Sequence, residues 1–237
     1  VGAFSMRDTT SGYGNTAVGY AALKSNTTGG NNVAIGYQAS EPTTTGQKNS
    51  IVGYQAGAAL TTGSYNTALG YQALNAITTG ERNTAIGYTA LDAVTTANDN
   101  VAIGYAACVA NTSGERNVAI GNYALDANTS GIENVAIGVY ALTTGTNVSR
   151  SVAVGGYAAN SVTGNYNVAI GWDAMYNASS INNSVAIGYY ALGAASGDYN
   201  VAIGNYALTA NTSATSNVAV GYHSLKTNTT GTRNVAV

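Results

Sequence analysis

Charged residues and proline are scarce in this 237-residue chain. Only 8% of the residues are charged, against roughly 25% in ordinary soluble domains. Lysine and arginine form no run or stripe, and the formal net charge is −2. We therefore expect no nucleic-acid partner. No apolar run approaches the ~20 residues that a membrane-spanning helix needs, so we also expect no membrane insertion.

The residues that usually carry chemistry are equally sparse. His223 is the only histidine and Cys108 the only cysteine, and the ten carboxylates are scattered along the chain without a matched pair. This distribution predicts no enzyme, because acid–base catalysis needs paired groups. A His/Cys cluster for zinc or iron is missing, and so is the Gly-Gly-x-Gly-x-Asp pattern of calcium β-rolls. We expect neither a cofactor nor a resident metal.

A short motif repeats through the whole chain. Asn32-Val33-Ala34-Ile35-Gly36-Tyr37 returns unchanged from Asn100 to Tyr105 and with small changes elsewhere. Its glycines are spaced by 17 residues, apart from two intervals of 16, and fall at Gly2, Gly19, Gly36, Gly53, Gly70, Gly87, Gly104, Gly121, Gly138, Gly155, Gly171, Gly188, Gly204 and Gly221. A fixed period of this kind indicates a repeat architecture.

Each repeat is predicted to be extended before its glycine. In Val118-Ala119-Ile120, β-branched residues alternate with alanine, which is the period of a two-faced strand. After the glycine, Tyr71-Gln72-Ala73-Leu74 and its equivalents are interpreted as a second short extended stretch. Polar segments such as Asn128-Thr129-Ser130-Gly131 then supply turns. Helices are poorly supported.

Stacked copies of this repeat predict an all-β parallel β-solenoid of about 14 coils of 17 residues. We expect a flattened, two-walled roll in which Val and Ile form a dry interior. Asn side chains should share hydrogen bonds from coil to coil. The alanine face should pack against neighbouring subunits about a common axis. We expect one β-roll domain over residues 1–237, and its repeat, cut at both ends without polar caps, suggests part of a longer fibrous chain.

The repeats resemble those of two related groups of proteins. Asn183-Ser184-Val185-Ala186-Ile187-Gly188 is similar to the head repeats of YadA-like trimeric autotransporter adhesins. The stretch from Asn15 to Leu23, which reads Asn-Thr-Ala-Val-Gly-Tyr-x-Ala-Leu, looks like repeats of bacteriophage tail fibres and appendages, especially from cyanophages. The resemblance covers the whole chain and implies a left-handed β-roll assembled as a homotrimer. The regular Tyr after the glycine favours the phage version.

Three functions follow as hypotheses. The first is a structural, non-enzymatic shaft of a phage tail fibre or appendage, carried on the virion and involved in attachment to a host receptor such as a glycan. The alternative is the head of a trimeric bacterial surface adhesin, outside the cell. The third is a soluble carbohydrate- or ice-binding solenoid, since adjacent Thr columns such as Thr78-Thr79 could order water.

An aromatic column is the candidate ligand surface. Its members follow the motif glycine in six successive repeats: Tyr20, Tyr37, Tyr54, Tyr71, Tyr88 and Tyr105. A structural ladder is one reading and a platform for sugars the other, because amphipathic rings suit polyol faces. Cys108 occupies a position that is Leu in most other repeats, so we expect a buried apolar residue there. His223 is expected to face solvent.

Overall fold

The structure, a computed structural model, describes residues 2–237, so Val1 of the predicted domain lies outside the described residues. Two compact units form, residues 2–117 (the N-terminal unit) and Val118–Val237 (the C-terminal unit). The N-terminal unit has strands β1 Thr16–Val18, β2 Val33–Ile35, β3 Ser50–Val52, β4 Thr67–Leu69, β5 Thr84–Ile86 and β6 Val101–Ile103. The C-terminal unit has β7 Val118–Ile120, β8 Val135–Ile137, β9 Val152–Val154, β10 Val168–Ile170, β11 Val185–Ile187, β12 Val201–Ile203, β13 Val218–Val220 and β14 Val235–Ala236.

Within each unit, every strand pairs in parallel with its copy from the next repeat. Val33 lies beside Ser50 and Ala34 beside Ile51 in the N-terminal unit. The C-terminal unit repeats this register, with Val135 beside Val152. The chain thus climbs one strand spacing, about 4.8 Å, per repeat. The predicted parallel β-solenoid with 17-residue coils is confirmed, and the described residues contain no helix.

The two strand faces are reversed relative to the prediction. The central alanine of the strand, as in Ala34, Ala68 and Ala119, is fully buried inside its coil. The flanking Val and Ile side chains point outward, and Ile35 remains 38% exposed. The prediction that Val and Ile line the interior, and that alanine contacts other subunits, is therefore wrong. The coil interior is too narrow for a row of large side chains from the strand, and alanine fits it.

One coil shows how tightly this interior is filled. Ile51 replaces the strand alanine in β3 and is completely buried. Four residues after the motif glycine, most coils carry a buried Leu such as Leu74, but this coil has Gly57. A Cβ added to Gly57 would lie 3.4 Å from Cγ2 of Ile51. A large strand residue thus occurs together with a glycine across the interior, as close packing requires.

The second extended stretch is not present. Residues 71–74 and their equivalents form consecutive turns, so each coil has one strand and not two. Gln72 and Leu74 both adopt positive φ, at 52° and 54°. Left-handed backbone costs a non-glycine residue roughly 1–2 kcal/mol. The prediction of a second strand in each coil is therefore wrong, because alternating φ signs were not visible in the residue types.

Hydrogen bonds to both neighbouring coils hold this turn segment in place. The Gln72 N–H donates to Tyr54 O in the preceding coil at 3.0 Å. The Leu74 N–H donates to Ala90 O in the following coil, also at 3.0 Å. Buried backbone groups need such partners. Repetition of the coil supplies them and stabilises a conformation that an isolated segment would not keep.

Asparagine closes each coil and links it to the next. The Asn66 amide donates to Gly80 O at 2.8 Å, which joins the start of the strand to the end of the turn segment. Its Oδ1 accepts the N–H of Asn83, one coil further on, at 3.0 Å. Both side chains are buried. The predicted coil-to-coil asparagine ladder is confirmed.

Serine replaces this asparagine in the two 16-residue coils. Ser151 and Ser184 begin the coils that are one residue short. The Ser184 hydroxyl accepts the N–H of Asn200 at 3.1 Å, so the coil-to-coil link survives. It donates to Asn182 O at 3.0 Å instead of reaching across the coil. Asn200 then donates to Gly197 O at 2.7 Å.

Candidate interaction surface

The outward side chains of the strands form an uncharged apolar face in each unit. We call these first and third strand residues the strand face. Its third position carries only Val, Ile or Leu, and its first only Val, Thr or Ser. Val18 is 42% exposed, Ile35 38% and Leu69 49%. The largest apolar patch on a protein surface is often functional, which makes the strand face a candidate interaction site.

The six predicted tyrosines stand beside this face as a stacked column in the N-terminal unit. Neighbouring ring centroids from Tyr20 to Tyr105 are 5.0–5.3 Å apart, and the ring planes lie within 12° of parallel. Each inner ring therefore has a neighbour on both faces. Ring edges and hydroxyls remain accessible, and the side chains are 42–47% exposed. The column has the geometry of a ladder; ligand binding by it stays a prediction.

Aromatic residues are arranged less regularly in the C-terminal unit. Tyr123, Tyr140 and Tyr157 lie one residue later in the repeat, and their rings stack at 5.0 and 5.3 Å. Trp172 then returns to the first position and tilts 60° from Tyr157, with the ring centroids 5.7 Å apart. Tyr189 contacts Tyr206 edge-on at 5.2 Å. The regular ladder is thus interrupted around Trp172.

Many of the charged side chains lie away from the strand face, in turns just before the asparagine that begins a coil. Arg82 bonds Asp99 of the next coil through two nitrogens, at 2.6 and 3.1 Å, and also bonds Glu81. These contacts lower the pKa of Asp99 and raise that of Arg82. In the C-terminal unit, Arg150 bonds Glu133 at 2.8 Å. The side chains are exposed, so each pair contributes little to stability.

Two carboxylates lie in less favourable surroundings. Burial raises the pKa of Asp92 and of Asp126. One oxygen of each carboxylate is shielded from solvent and has no hydrogen-bond partner. Asp92 belongs to the N-terminal unit and Asp126 to the C-terminal unit.

Cys108, His223 and Thr78 are the remaining residues that the sequence singled out. Cys108 is buried, as predicted. His223 is half-buried and stacks on Tyr222, with ring centroids 3.8 Å apart, and Lys226 Nζ lies 3.4 Å from its Nε2. The hydroxyl of Thr78 donates to Thr95 O at 3.0 Å, so this Thr column is tied to the backbone.

Sites of other kinds are not seen in the part of the chain that the structure describes. Residues 2–237 contain no group of three or more His, Cys, Asp or Glu placed to hold a metal ion. The same residues include no helix that is long and apolar enough to cross a membrane. They also enclose no ligand-sized cavity. The accessible features are therefore surfaces: the strand face, the aromatic columns and the charged turns.

Comparison with protein-family models, with curated proteins and with solved structures gave no match to this chain. The functional argument therefore depends on the surfaces themselves.

Sequence reasoning missed two of these features. It placed the strand face inside the coil, although the strand centre is alanine in every repeat but one, a monotony typical of a narrow interior. It also did not single out Trp172. The signal was Gly156, which stands one repeat earlier at a position where most other repeats carry an aromatic ring.

Proposed function

We propose that this chain is a structural, non-enzymatic shaft segment of a bacteriophage tail fibre or appendage, carried on the virion and involved in host attachment. The observation that carries the proposal is the strand face, an uncharged apolar ladder repeated in every coil of both units. Together with stacked 17-residue coils, it provides a fibre-forming architecture with a built-in contact surface. The partner on the host is a cell-surface receptor, and a glycan is one form that this receptor can take.

Self-association is the use that best fits the strand face. Three residues across and six strands long, the face of the N-terminal unit projects roughly 300 Å² at ordinary strand dimensions. Apolar area of this kind contributes about 25 cal/mol per Å² when buried. A second copy presents the same ladder with the same repeat, so each coil meets an equivalent coil. Charged partners find no counter-charge on this surface.

A left-handed roll and a homotrimer are the specific forms that we propose. Both are implied by the resemblance of the repeats to YadA-like heads and phage fibres. Three copies around one axis would bring the strand faces together and leave the charged turns in water. The tyrosine column borders the proposed interface and becomes a seam between subunits.

Assembly is tested by adding charge to the strand face. Sedimentation of the chain should give a mass near three times 23.8 kDa. Ile35→Lys with Leu69→Lys should shift it to the monomer, because two buried lysines per subunit cannot be paired at the axis. Thr45→Lys with Thr79→Lys, exposed positions in the same coils, should leave the trimer intact.

Circular dichroism of all three proteins separates assembly from folding. A folded monomer of the unsubstituted chain would contradict the trimer. Equal masses for the two double variants would show that the strand face is not the interface.

The place of the chain is tested by immunogold electron microscopy. Antibodies raised against the purified chain should label tail appendages of virions from the source of the gene. Labelling of bacterial cell surfaces, with none on virions, would contradict the phage proposal. That result would support the alternative, a trimeric surface adhesin.

A further inference from the structure

Trp172 occupies a break in the aromatic ladder of the C-terminal unit. Its indole is 53% exposed, more than any ring of the N-terminal column. A Cβ added to Gly156 would come within 2.6–3.0 Å of three atoms of the six-membered indole ring. One face of the indole is therefore seated on the backbone of Gly156, where only glycine leaves room for it.

The other side of the indole has no stacked neighbour. Among the residues that the structure describes, Tyr157 is the aromatic side chain within stacking distance of Trp172, and it lies on the Gly156 side. In the next coil, Tyr189 occupies the position that would continue the ladder. Its ring contacts Tyr190 and Tyr206 instead. Among the described residues, Trp172 thus has a ring neighbour on one side and is 53% exposed, while the inner rings of the N-terminal column have a ring neighbour on each face.

A carboxylate lies beside this exposed ring. Asp173 follows Trp172 directly in a left-handed conformation, with φ of 56°. Burial raises the pKa of its carboxyl, and interaction with the indole N–H of Trp172 acts in the opposite direction. An apolar ring bordered by a carboxylate suits a ligand with an apolar face and hydroxyl edges.

We infer that Trp172, seated on Gly156 and flanked by Asp173, is a binding platform for a pyranose sugar whose ring presents axial C–H groups on one face and equatorial hydroxyls at its edge. The C–H face stacks on the indole, and the Asp173 carboxylate accepts hydrogen bonds from adjacent hydroxyls. This inference deepens the proposed function, since it assigns the receptor chemistry to one site. The flat, open surface predicts weak binding per site, in the millimolar range.

The single tryptophan makes the test direct. Trp172 is the only tryptophan in the chain, so fluorescence of the full chain reports on this site alone. We expect a saturable change on titration with at least one of cellotriose, maltotriose and the trisaccharide of N-acetylglucosamine. Asp173→Asn should weaken the response about tenfold, as expected for loss of a charged hydrogen-bond acceptor. Gly156→Ala should abolish it by displacing the indole.

Controls separate this site from the rest of the molecule. Tyr71→Ala, in the closed N-terminal column, should leave the titration unchanged. Circular dichroism and sedimentation of each variant show whether its fold and assembly are kept. No saturable response to any of the three sugars would overturn the inference. A response to choline chloride but to no sugar would also overturn it, because the platform would then select a cation.

Failure of this inference can be distinguished from failure of the proposed function. The fluorescence titration needs neither a virion nor a host cell. A saturable response without labelling of virions would leave the platform standing and contradict the phage proposal. Labelling of virions without a response to any of the sugars would support the phage proposal and overturn the platform.

Discussion

Two aspartates of the N-terminal unit show how a coil position decides the effect of a single charge. Asp92 is partly buried with an unpaired oxygen, and the residue at its position one coil earlier is Asn75. Asp99 is exposed and is held by Arg82 of the preceding coil. The same residue type is therefore unfavourable at one position and favourable at the other.

Substitution of Asp92 and of Asp99 by asparagine should change the stability of the fold in opposite directions at neutral pH. A raised carboxyl pKa in the folded state means that the charged form is disfavoured there. Asp92→Asn should therefore stabilise the fold at neutral pH, by about 1 kcal/mol or less given the partial exposure. That gain should shrink as the pH falls through the raised pKa towards the ordinary value of 3.8. Urea unfolding at several pH values measures it.

Asp99→Asn is the matched comparison. The lowered pKa of Asp99 means that its charge stabilises the folded state at neutral pH. We expect a loss of stability at neutral pH that disappears as the pH falls below the ordinary value through the lowered pKa. If both substitutions changed the unfolding midpoint in the same direction at neutral pH, the assignment of the two environments would be wrong.

The glycine at the end of each strand is required by the coil above it. Gly70 has φ of +148°, and a Cβ there would lie 2.3 Å from Gly87 O. Gly70→Ala should therefore destabilise the fold by several kcal/mol, because backbone atoms cannot move aside without breaking the stack. Thermal unfolding followed by circular dichroism measures the loss.

Gly57→Ala is the control for this prediction. Gly57 has φ of +57°, but a Cβ there meets only Ile51, at an ordinary contact distance of 3.4 Å. Other coils carry Leu at this position in the same conformation, as in Leu74. We expect a change of about 1–2 kcal/mol at most. Equal losses at Gly70 and Gly57 would refute the steric argument.

At the scale of the element, one coil consists of a three-residue strand and a run of turns that face each other across a filled interior. Ile51 and Gly57 are the residues that reveal this pairing. In most other coils, alanine in the strand faces a buried Leu of the turn run. The total side-chain volume in the interior is kept, although the large residue lies in the strand in one case and in the turn run in the other.

A double-mutant cycle tests this exchange of volume. Ile51→Ala alone should cost about 2–5 kcal/mol, because it removes a buried side chain and leaves a cavity. Gly57→Leu alone should also destabilise, since the added side chain meets Ile51. The double variant Ile51→Ala/Gly57→Leu recreates the arrangement of β4 and should recover much of the loss. Additive losses in urea unfolding would show that the two positions are not packed together.

At the scale of the molecule, each strand within a unit contacts the strands of the coils before and after it. Stability of such a solenoid is a sum of repeat and nearest-neighbour terms. The strand register, the asparagine ladder and the turn hydrogen bonds all repeat with the same period. Within the N-terminal unit, one whole coil can therefore take the place of another, whereas a fraction of a coil cannot.

Deletion of one whole coil should be tolerated. Removal of residues 67–83 joins Asn66 to Thr84 and brings β3 beside β5 in the original register. We expect a folded protein with the same circular dichroism per residue and a slightly lower unfolding midpoint. Removal of residues 67–75, about half a coil, should prevent folding of this region, because turn residues of one coil would then stack on strand residues of the next. Similar outcomes for the two deletions would contradict the one-coil period.

The period, the parallel register and the asparagine ladder followed from the sequence because identical residues at a fixed spacing can satisfy their hydrogen bonds only by stacking. Which of the two strand faces lies inside the coil could not be derived in this way. Alanine, valine and isoleucine are all apolar, so alternation defined two faces without saying which one is buried. The turn run was hidden for a related reason, since Leu74 in left-handed backbone is unusual and is held there by bonds to the coils on either side.

Only the tertiary structure decided which surfaces remain for other molecules. The narrow space between strand and turns is filled by the strand alanine and the large residue of the turn run in most coils, so the flanking Val and Ile are left as the strand face. The indole of Trp172 lies on Gly156 because the two residues are 16 positions apart in sequence but adjacent in the stack. Local residue preferences favour the conformation of one coil, whereas the exposure of a side chain depends on whether the neighbouring coils cover it.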